Sequence, residues 1–351
     1  MLCPAGLRVN SVSSPTGDLR VDVHSHHYPL AFEEACLDPA SGLTTRRRSD
    51  GNLAVMVDGA VSLVVPAKAP TVAERLGLLD VAGIDVQLLS LSAPNVYHFD
   101  DELRISLARQ TNDELIEIAR TSGGRLPALV SLPLPDVDAA LAELDRVIDL
   151  PGVAGVFLCT TVRGRPLDDP EFRPLLEELS RREVSVLVHP TVGCATNLEA
   201  YALSLNIGFM AETTNCVARL LFSGTLESLP GITWVFSHLG GTLPFLHHRI
   251  EKANKAFGDW QIPLEQTPAE TLASVYFDTV TDHQPALVCA LDTYGANALL
   301  FGTDYPHGPP DLRGPVGLLT RTISDQESLA AVMGGTAQRV FSLTASTTGA
   351  A

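Results

Sequence analysis

The sequence has 351 residues, of which 45% are hydrophobic and 19% are charged, a composition that is typical of a folded chain with a large core. The formal net charge of -17 argues against nucleic acid or an anionic membrane as a partner, because both bind basic surfaces. A small anionic substrate stays possible, since a pocket can be locally positive within an acidic protein. One α/β barrel of about 250 residues with insertions would account for this length.

The ends of the sequence and its cysteines give expectations about the cellular compartment. Residues 1–18 are rich in Ser, Pro and Gly, residues 343–351 are small and polar, and both segments are expected to be flexible. The first segment lacks the apolar stretch of a signal peptide, and no apolar run approaches the ~18 residues of a membrane span. The six cysteines are scattered without a CxxC pair, which is typical of reduced thiols. We therefore predict a cytoplasmic protein.

Short apolar runs alternate with helical patterns from residue 19 onward. Strands are predicted at 20–24, 86–92, 126–132, 153–159, 184–189, 232–238, 275–280 and 298–303, and helices at 71–82, 101–121, 136–149, 170–182, 199–228, 243–257, 284–294 and 325–342. The near-continuous apolar character of the runs favours parallel strands that are buried on both faces. A strand followed by a helix, repeated eight times, indicates an α/β fold of the (β/α)8 TIM barrel type over residues 19–342. Residues 28–70, between the first two strands, are too long for a simple loop and are predicted to be an active-site insertion.

Several predicted strands end in a histidine or an aspartate. These residues are His24, His26, His189, His238 and Asp304. His24 and His26 are two residues apart on one strand, so their side chains share a face. The carboxyl ends of the strands of a TIM barrel meet at one rim, and imidazole and carboxylate groups bind zinc and related metals. A metal site is therefore predicted at this rim, where Asp278 ends the seventh strand and could orient a ligand histidine.

Four short motifs, HxH, HP, SHLGG and GTDYP, occur at these strand ends and together resemble the amidohydrolase superfamily. The similarity is greatest to the branch of 2-amino-3-carboxymuconate-6-semialdehyde decarboxylase and its relatives, such as γ-resorcylate decarboxylase. Residues 211–214 and 239–245 also match that branch, and the resemblance extends over residues 20–342. It implies that His24, His26, His189 and Asp304 are the metal ligands and that His238 is the catalytic acid or base.

The resemblance also implies candidate substrate-binding residues. Arg249 matches an arginine that reaches the site of a neighbouring subunit and binds a substrate carboxylate, which implies a homodimer. Glu212 matches a family position near the site, although a carboxylate at the start of a helix is equally favoured by the helix dipole. His98 and His307 follow the second and eighth predicted strands and are further candidates for substrate contact.

Departures from the family pattern restrict the chemistry. Amidohydrolases with two metals bridge them with a carboxylated lysine at the end of strand four, where this chain reads Phe157–Thr160. One divalent ion per chain is therefore expected, with Zn2+ first and Mn2+ as the alternative. Two substrate-clamping arginines of the aminocarboxymuconate enzymes correspond to Leu63 and Pro66, so that compound is not the expected substrate. The run Arg46–Arg48 is interpreted as a solvated face.

The resemblance, together with these residues, implies a metal-dependent, non-oxidative decarboxylase of an aromatic or unsaturated carboxylic acid. A divalent ion can hold a carboxylate or phenolate as a Lewis acid while His238 protonates the ring carbon. The alternative is a hydrolase or hydratase of the same superfamily that uses metal-activated water. A binding protein without catalysis is a third hypothesis, and the intact set of ligands argues against it.

Overall fold

The computed structural model describes residues 7–9, 19–193, 197–257, 262–308 and 310–345. Its strands are β1 (Leu7–Val9), β2 (Val21–His26), β3 (Thr44–Arg47), β4 (Leu53–Val57), β5 (Ala60–Val65), β6 (Val86–Ser90), β7 (Ala128–Ser131), β8 (Val153–Cys159), β9 (Thr161–Val162), β10 (Arg165–Pro166), β11 (Ser185–His189), β12 (Thr233–Phe236), β13 (Tyr276–Asp278), β14 (Leu299–Leu300) and β15 (Leu343–Ala345). All eight strands that the apolar runs predict are present, and they occur in the predicted order.

These eight strands form one parallel sheet in the order β2-β6-β7-β8-β11-β12-β13-β14. Every residue of β2, β6, β7 and β11 is buried, as strands covered on both faces require. The two edges meet, because the backbone N–H of Val23 donates to the carbonyl of Phe301 at 2.9 Å and that of His26 donates to the carbonyl of Tyr305 at 2.7 Å. The sheet is thus a nearly closed barrel, which confirms the predicted TIM barrel.

Helices cover the outside of the barrel. They are α1 (Leu30–Leu37), α2 (Val72–Ala82), α3 (Asp101–Thr121), α4 (Val137–Val147), α5 (Arg173–Arg181), α6 (Phe209–Phe222), α7 (Thr225–Ser228), α8 (Leu243–Ala256), α9 (Pro268–Leu272), α10 (Gln284–Tyr294), α11 (Arg313–Thr322), α12 (Gln326–Ala330) and α13 (Thr336–Val340). A side-chain cap begins α4, since the Asp136 side chain accepts a hydrogen bond from the backbone N–H of Ala139 at 2.9 Å. Among the helices that the structure describes, none combines the length and apolarity of a membrane span.

Two predicted helices are interrupted. The segment 199–228 contains a π-helical turn at Ser204–Gly208, then α6, and Gly224 separates α6 from α7. The segment 325–342 contains a π-helical turn between α12 and α13. A Cβ atom at Gly334 would lie 1.7 Å from the carbonyl oxygen of Leu19, so this turn packs directly against the chain that enters β2.

The segment 28–70 folds as α1 followed by the antiparallel sheet β3-β4-β5. One face of this sheet, which carries Leu53, Val55, Leu63 and Val65, joins the buried core. The hydroxyl of Ser204 donates to the carbonyl of Val61 at 2.7 Å and ties β5 to the segment before α6. The insertion is therefore a packed layer rather than an extended loop.

The two chain ends meet where they are described. β1 pairs with β15 in parallel, with Leu7 opposite Leu343. Flexibility is predicted for residues 1–18 and 343–351. Apart from β1 and β15, these two segments lie outside the described residues. Cys3 and Cys194 also lie outside them, and the four other cysteines are free thiols.

Candidate active site

The side chains predicted from the strand ends converge at the carboxyl end of the barrel. One ligand atom of each residue lies within 4.8 Å of the others in a group of four, His24, His189, His238 and Asp304. His26 lies against this group, with its Nε2 3.0 Å from Asp304 Oδ1 and 3.1 Å from His24 Nε2. The structure therefore brings together all five residues that the sequence analysis selected.

Hydrogen bonds at Nδ1 orient the rings of His24 and His189. His24 Nδ1 lies 2.6 Å from Asp278 Oδ2, and His189 Nδ1 lies 2.7 Å from the carbonyl oxygen of Pro190. A carboxylate and a carbonyl only accept hydrogen bonds, so both rings carry a proton on Nδ1. Their Nε2 atoms face the centre of the site, as in metal-binding histidines whose other nitrogen is held by a second group.

Ser90 orients His26 in the same way. His26 Nδ1 lies 3.0 Å from Ser90 Oγ, and the Ser90 hydroxyl donates its own proton to the carbonyl of Ser25 at 3.1 Å. Ser90 therefore accepts the Nδ1 proton, and a lone pair of His26 Nε2 also faces the centre. Two lone pairs 3.1 Å apart, on His24 and His26, repel each other unless a proton or a metal ion lies on one of them.

The carboxylates beside these rings stabilise one positive charge in the site. Burial opposes ionisation of His24, but the carboxylates of Asp278 and Asp304 outweigh it and raise its pKa to about 10. Burial lowers the pKa of His26 to about 3 and that of His189 well below its ordinary value. The protein alone thus holds a proton on His24 among neutral rings. A divalent ion that replaces this proton would meet imidazole nitrogens and one carboxylate, and these residues fit such an ion.

Asp278 supports two of the histidines at once. The Asp278 carboxylate is fully buried, and besides contacting His24 it accepts hydrogen bonds from the backbone N–H of His238 at 2.7 Å and of Val280 at 3.0 Å. These bonds hold the ends of β12 and β13 in a fixed relation. The position matches the role in ligand orientation that the sequence analysis considered for this residue.

The turn that carries His238 packs so closely that the two positions after Leu239 require glycine. His238 and Leu239 have φ values of 55° and 58°, in the left-handed region. A Cβ atom at Gly240 would lie 2.8 Å from the Phe277 ring, and one at Gly241 would lie 2.2 Å from the carbonyl oxygen of Met210. The glycines therefore let this turn pack closely between β13 and α6.

The ring of His238 has fewer hydrogen bonds than the rings of His24, His26 and His189. Its Nε2 lies 3.6 Å from Asp304 Oδ2, beyond hydrogen-bond length, and its Nδ1 is buried without a partner among the described residues. A histidine with few fixed hydrogen bonds beside a cavity can accept and deliver a proton without first breaking a strong contact.

A cavity of about 490 Å³ lies against the five-residue site. Its lining comprises His189, His238 and Asp304, the insertion residues Arg48, Asn52, Ser62, Leu63, Val64 and Pro66, the residues Leu205, Asn206, Phe209 and Met210 around the start of α6, and Ser92, Pro306 and His307. The volume is in the usual range for a small-molecule site. The insertion forms one wall of this cavity, and that wall combines apolar side chains with the polar side chains of Arg48, Asn52 and Ser62.

The predicted substrate-binding residues have different positions. His307 lines the cavity, and a hydrogen bond joins its Nε2 to the Tyr28 hydroxyl. Glu212 is buried, and burial raises its pKa, but it lines a separate small cavity beside Gly193. His98 is half-buried and Arg249 is exposed on α8, and neither is among the described residues that line the main cavity.

Arg48 is the cavity residue that the sequence interpretation missed. Among the described lining residues it is the only Arg or Lys, and its side chain is 51% exposed beside Asp50. Arg46 and Arg47 are exposed on β3 and do not line the cavity. Nothing in the run of three arginines distinguishes Arg48, because its position depends on where β3 ends at Arg47.

Comparison with known proteins identifies the family. The model of the amidohydrolase family matches residues 21–343. This chain belongs to the amidohydrolase family. The amidohydrolase is 31% identical over 302 residues to the 6-methylsalicylic acid decarboxylase acuB of Aspergillus aculeatus, covering 84% of this chain and 86% of that protein. It is 26% identical over 295 residues to the 2-amino-3-carboxymuconate-6-semialdehyde decarboxylase of Dictyostelium discoideum, covering 82% of each.

A solved structure extends this similarity to the fold. The amidohydrolase superposes with a TM-score of 0.79 and 19% identity on 5-carboxyvanillate decarboxylase from Novosphingobium aromaticivorans, covering 96% of this chain and 99% of that one. That crystal structure contains manganese and 4-hydroxy-3-methoxy-5-nitrobenzoic acid. The predicted membership of the decarboxylase branch of the amidohydrolase superfamily is confirmed.

Proposed function

We propose that this amidohydrolase is a metal-dependent, non-oxidative decarboxylase of a small aromatic or unsaturated carboxylic acid. The observation that carries the proposal is the position of His238. Its ring borders the cavity of about 490 Å³ and lies beside the convergent Nε2 atoms of the other histidines. The decarboxylase activities of similar proteins support the same chemistry.

His24, His26, His189 and Asp304 would hold one divalent ion in this proposal. The ion would supply Lewis-acid charge for the carboxylate or phenolate of the substrate. Zn2+ is the first choice for imidazole ligands, and Mn2+ is the alternative, which the manganese in 5-carboxyvanillate decarboxylase supports. A single ion is proposed because β8 ends in Phe157, Leu158 and Cys159 and offers no lysine as a bridge.

His238 would deliver a proton to the ring carbon that bears the carboxylate. The carbon–carbon bond to the carboxylate then breaks, carbon dioxide leaves, and the bonding electrons restore the unsaturated system of the product. One proton is consumed for each carbon dioxide released, and His238 regains it from solvent. Leu63, Phe209 and Met210 would contact the ring, and His307 would contact a polar substituent.

The proposal extends to the compartment, the oligomeric state and the partners of the protein. We place it in the cytoplasm as a homodimer, with a small carboxylate as substrate and neither nucleic acid nor membrane as a partner. Arg249, exposed on α8, would bind the substrate carboxylate in the cavity of the partner subunit.

Release of carbon dioxide tests the proposal against water addition. The purified protein, loaded with Zn2+ or Mn2+, is incubated with a panel of aromatic and unsaturated acids in 18O-labelled water. We expect release of carbon dioxide and a product that has lost one carboxylate and has gained no 18O from water. A product that contains 18O while no carbon dioxide is released would replace the decarboxylase with a hydrolase or hydratase.

A further inference from the structure

A chain of buried polar side chains lies beneath the metal-ligand residues. Asp22 is fully buried, and its Oδ2 accepts hydrogen bonds from Gln87 Nε2 at 2.7 Å and from the Thr303 hydroxyl at 2.6 Å. The other end of the Gln87 amide accepts a hydrogen bond from Arg75 Nη1 at 2.8 Å. Gln87 thus connects a buried carboxylate on β2 to a buried arginine on α2.

The arginine end of this network contacts both chain segments that carry candidate ligands. Arg75 Nη2 donates to the carbonyl of His26 at 2.7 Å. Its guanidinium carbon lies 4.8 Å from the centre of the Tyr305 ring, a cation–π distance. His26 and the neighbour of Asp304 are therefore held by one side chain.

The aspartate end contacts the same two segments. Asp22 Oδ1 accepts hydrogen bonds from the backbone N–H of His24 at 3.1 Å and of Thr303 at 3.0 Å. These segments are about 280 residues apart in sequence, as the separation of 281 between Asp22 and Thr303 shows. Both ends of the network therefore tie β2 to the turn at Thr303–Tyr305, in addition to the direct backbone hydrogen bonds between these segments.

Attraction of a metal ion does not explain the presence of Arg75. Its side chain is only 3% exposed, and a buried arginine lowers stability unless hydrogen bonds compensate its lost hydration. A positive charge behind the ligands would also repel a metal cation rather than attract it. What Arg75 provides is geometric, since its planar guanidinium donates in two fixed directions at once.

We infer that Arg75, acting with Gln87 and Asp22, is a positioning residue of the metal centre that holds His24 and His26 on one side at a fixed distance from Asp304 on the other. The inference rests on the proposed function, in which these residues bind a metal ion. Groups that hold metal ligands in place typically change metal affinity by ~10- to 100-fold when they are removed.

The test measures metal affinity rather than turnover. Zn2+ and Mn2+ dissociation constants are determined by competition with a chelator on folded, metal-free wild type and on Arg75→Met, and thermal unfolding of both metal-free proteins is recorded. We expect Arg75→Met to raise the dissociation constant by ~10- to 100-fold. Gln87→Met, which breaks the connection with little change in volume, should have the same direction of effect and decides the test if Arg75→Met does not fold.

Arg104→Met is the matched control. Arg104 is only 1% exposed and, like Arg75, donates to backbone carbonyls, those of Pro133 at 3.1 Å and Phe99 at 3.2 Å, but it contacts no candidate ligand. This variant should lower the melting temperature and leave metal affinity unchanged. Wild-type affinity in Gln87→Met or in folded Arg75→Met would overturn the inference alone. A wild-type protein that binds neither metal would overturn the proposed function as well.

Discussion

The proton on His24 links metal binding to pH. The carboxylates of Asp278 and Asp304 outweigh burial and raise the pKa of His24 to about 10, whereas burial lowers the pKa of His26 to about 3. Between about pH 6 and about pH 9 the metal-free protein therefore carries this proton, and an ion bound at His24 Nε2 must displace it. Zn2+ affinity should rise about tenfold per pH unit in this window, with release of about one proton per ion.

Chelator competition at several pH values, together with proton release in weakly buffered solution, checks this linkage. The same raised pKa also stabilises the metal-free fold fully below the ordinary His value of 6.5, and this stabilisation is lost as the pH rises towards about 10. Metal affinity that is constant across the window would mean that His24 is already neutral before the ion binds.

Arg48 is expected to attract the carboxylate of the substrate. It is the only Arg or Lys among the described residues that line the cavity. Its side chain is about half exposed, so solvent screens its attraction for the substrate carboxylate. Arg48→Gln should raise KM for the carboxylic acid by ~2- to 5-fold and leave kcat nearly unchanged. Steady-state kinetics at low ionic strength measures both constants.

Arg46→Gln is the control for Arg48, because it removes the same charge from an exposed position outside the cavity. If both variants raised KM equally, the effect would come from the net charge of the molecule rather than from a contact at the cavity. Ionic strength should reduce the effect of Arg48→Gln, since a half-exposed charge is screened by salt.

At the scale of elements, the ends of β12 and β13 position two histidines through Asp278. Its Oδ2 accepts the Nδ1 proton of His24, while Oδ1 accepts the backbone N–H of His238. In Asp278→Asn the side-chain amide can donate to His24 Nδ1, which moves the ring proton to Nε2 and removes the lone pair that a metal needs. We expect Zn2+ affinity to fall by ~10- to 100-fold, measured by chelator competition.

Asp282→Asn serves as the comparison for Asp278→Asn, since Asp282 is exposed in the loop that follows β13. It should leave metal affinity unchanged. A folded Asp278→Asn protein with wild-type affinity would show that the tautomer of His24 does not depend on this carboxylate.

The elements also show which parts of the fold can be predicted from sequence. Barrel strands such as β8 and β11 are continuous apolar runs, because both of their faces are covered, and this pattern is visible without a structure. The interruption after α12 depends on the close approach of Gly334 to Leu19, a contact between distant segments. A local helical pattern contains no information about such a contact, so one continuous helix is predicted there.

The same distinction applies to the site. His24 and Asp304 can be selected because strand ends of a barrel share a rim, and this rule needs only the positions of the strands. The same rule does not predict which cavity Arg48 and Glu212 line. Arg48 lines the main cavity, and Glu212 lines a neighbouring one. Their positions depend on how the insertion and the chain before α6 cross the barrel mouth, and loop paths are set by tertiary packing.

At the scale of the whole molecule, α8 differs from the rest of the surface. The chain has a net charge of -17, yet two of its three lysines, Lys252 and Lys255, lie on this helix with the exposed Arg249. Phe245, on the same helix, is 84% exposed. A basic helix with an exposed aromatic side chain suits contact with an acidic surface, and a second copy of the chain offers such a surface.

Subunit mixing tests whether Arg249 acts in the partner subunit. Arg249→Ala and His238→Ala should each be nearly inactive as pure dimers, since each site then lacks one of the two groups. In a mixed dimer, one site combines an intact His238 with an intact Arg249 of the partner subunit, and the other site lacks both. Random mixing of equal amounts should therefore restore about a quarter of the wild-type activity.

Co-expression of the two variants with different affinity tags isolates the mixed dimer, whose activity is compared with that of each parent. Lys252→Ala in place of Arg249→Ala controls for a general effect of charge on α8 and should retain activity without mixing. Mixed dimers no more active than the parents would place the action of Arg249 within its own chain or outside catalysis. In the proposed dimer α8 would be buried, so dilution of the wild type should expose Phe245 and lower the activity.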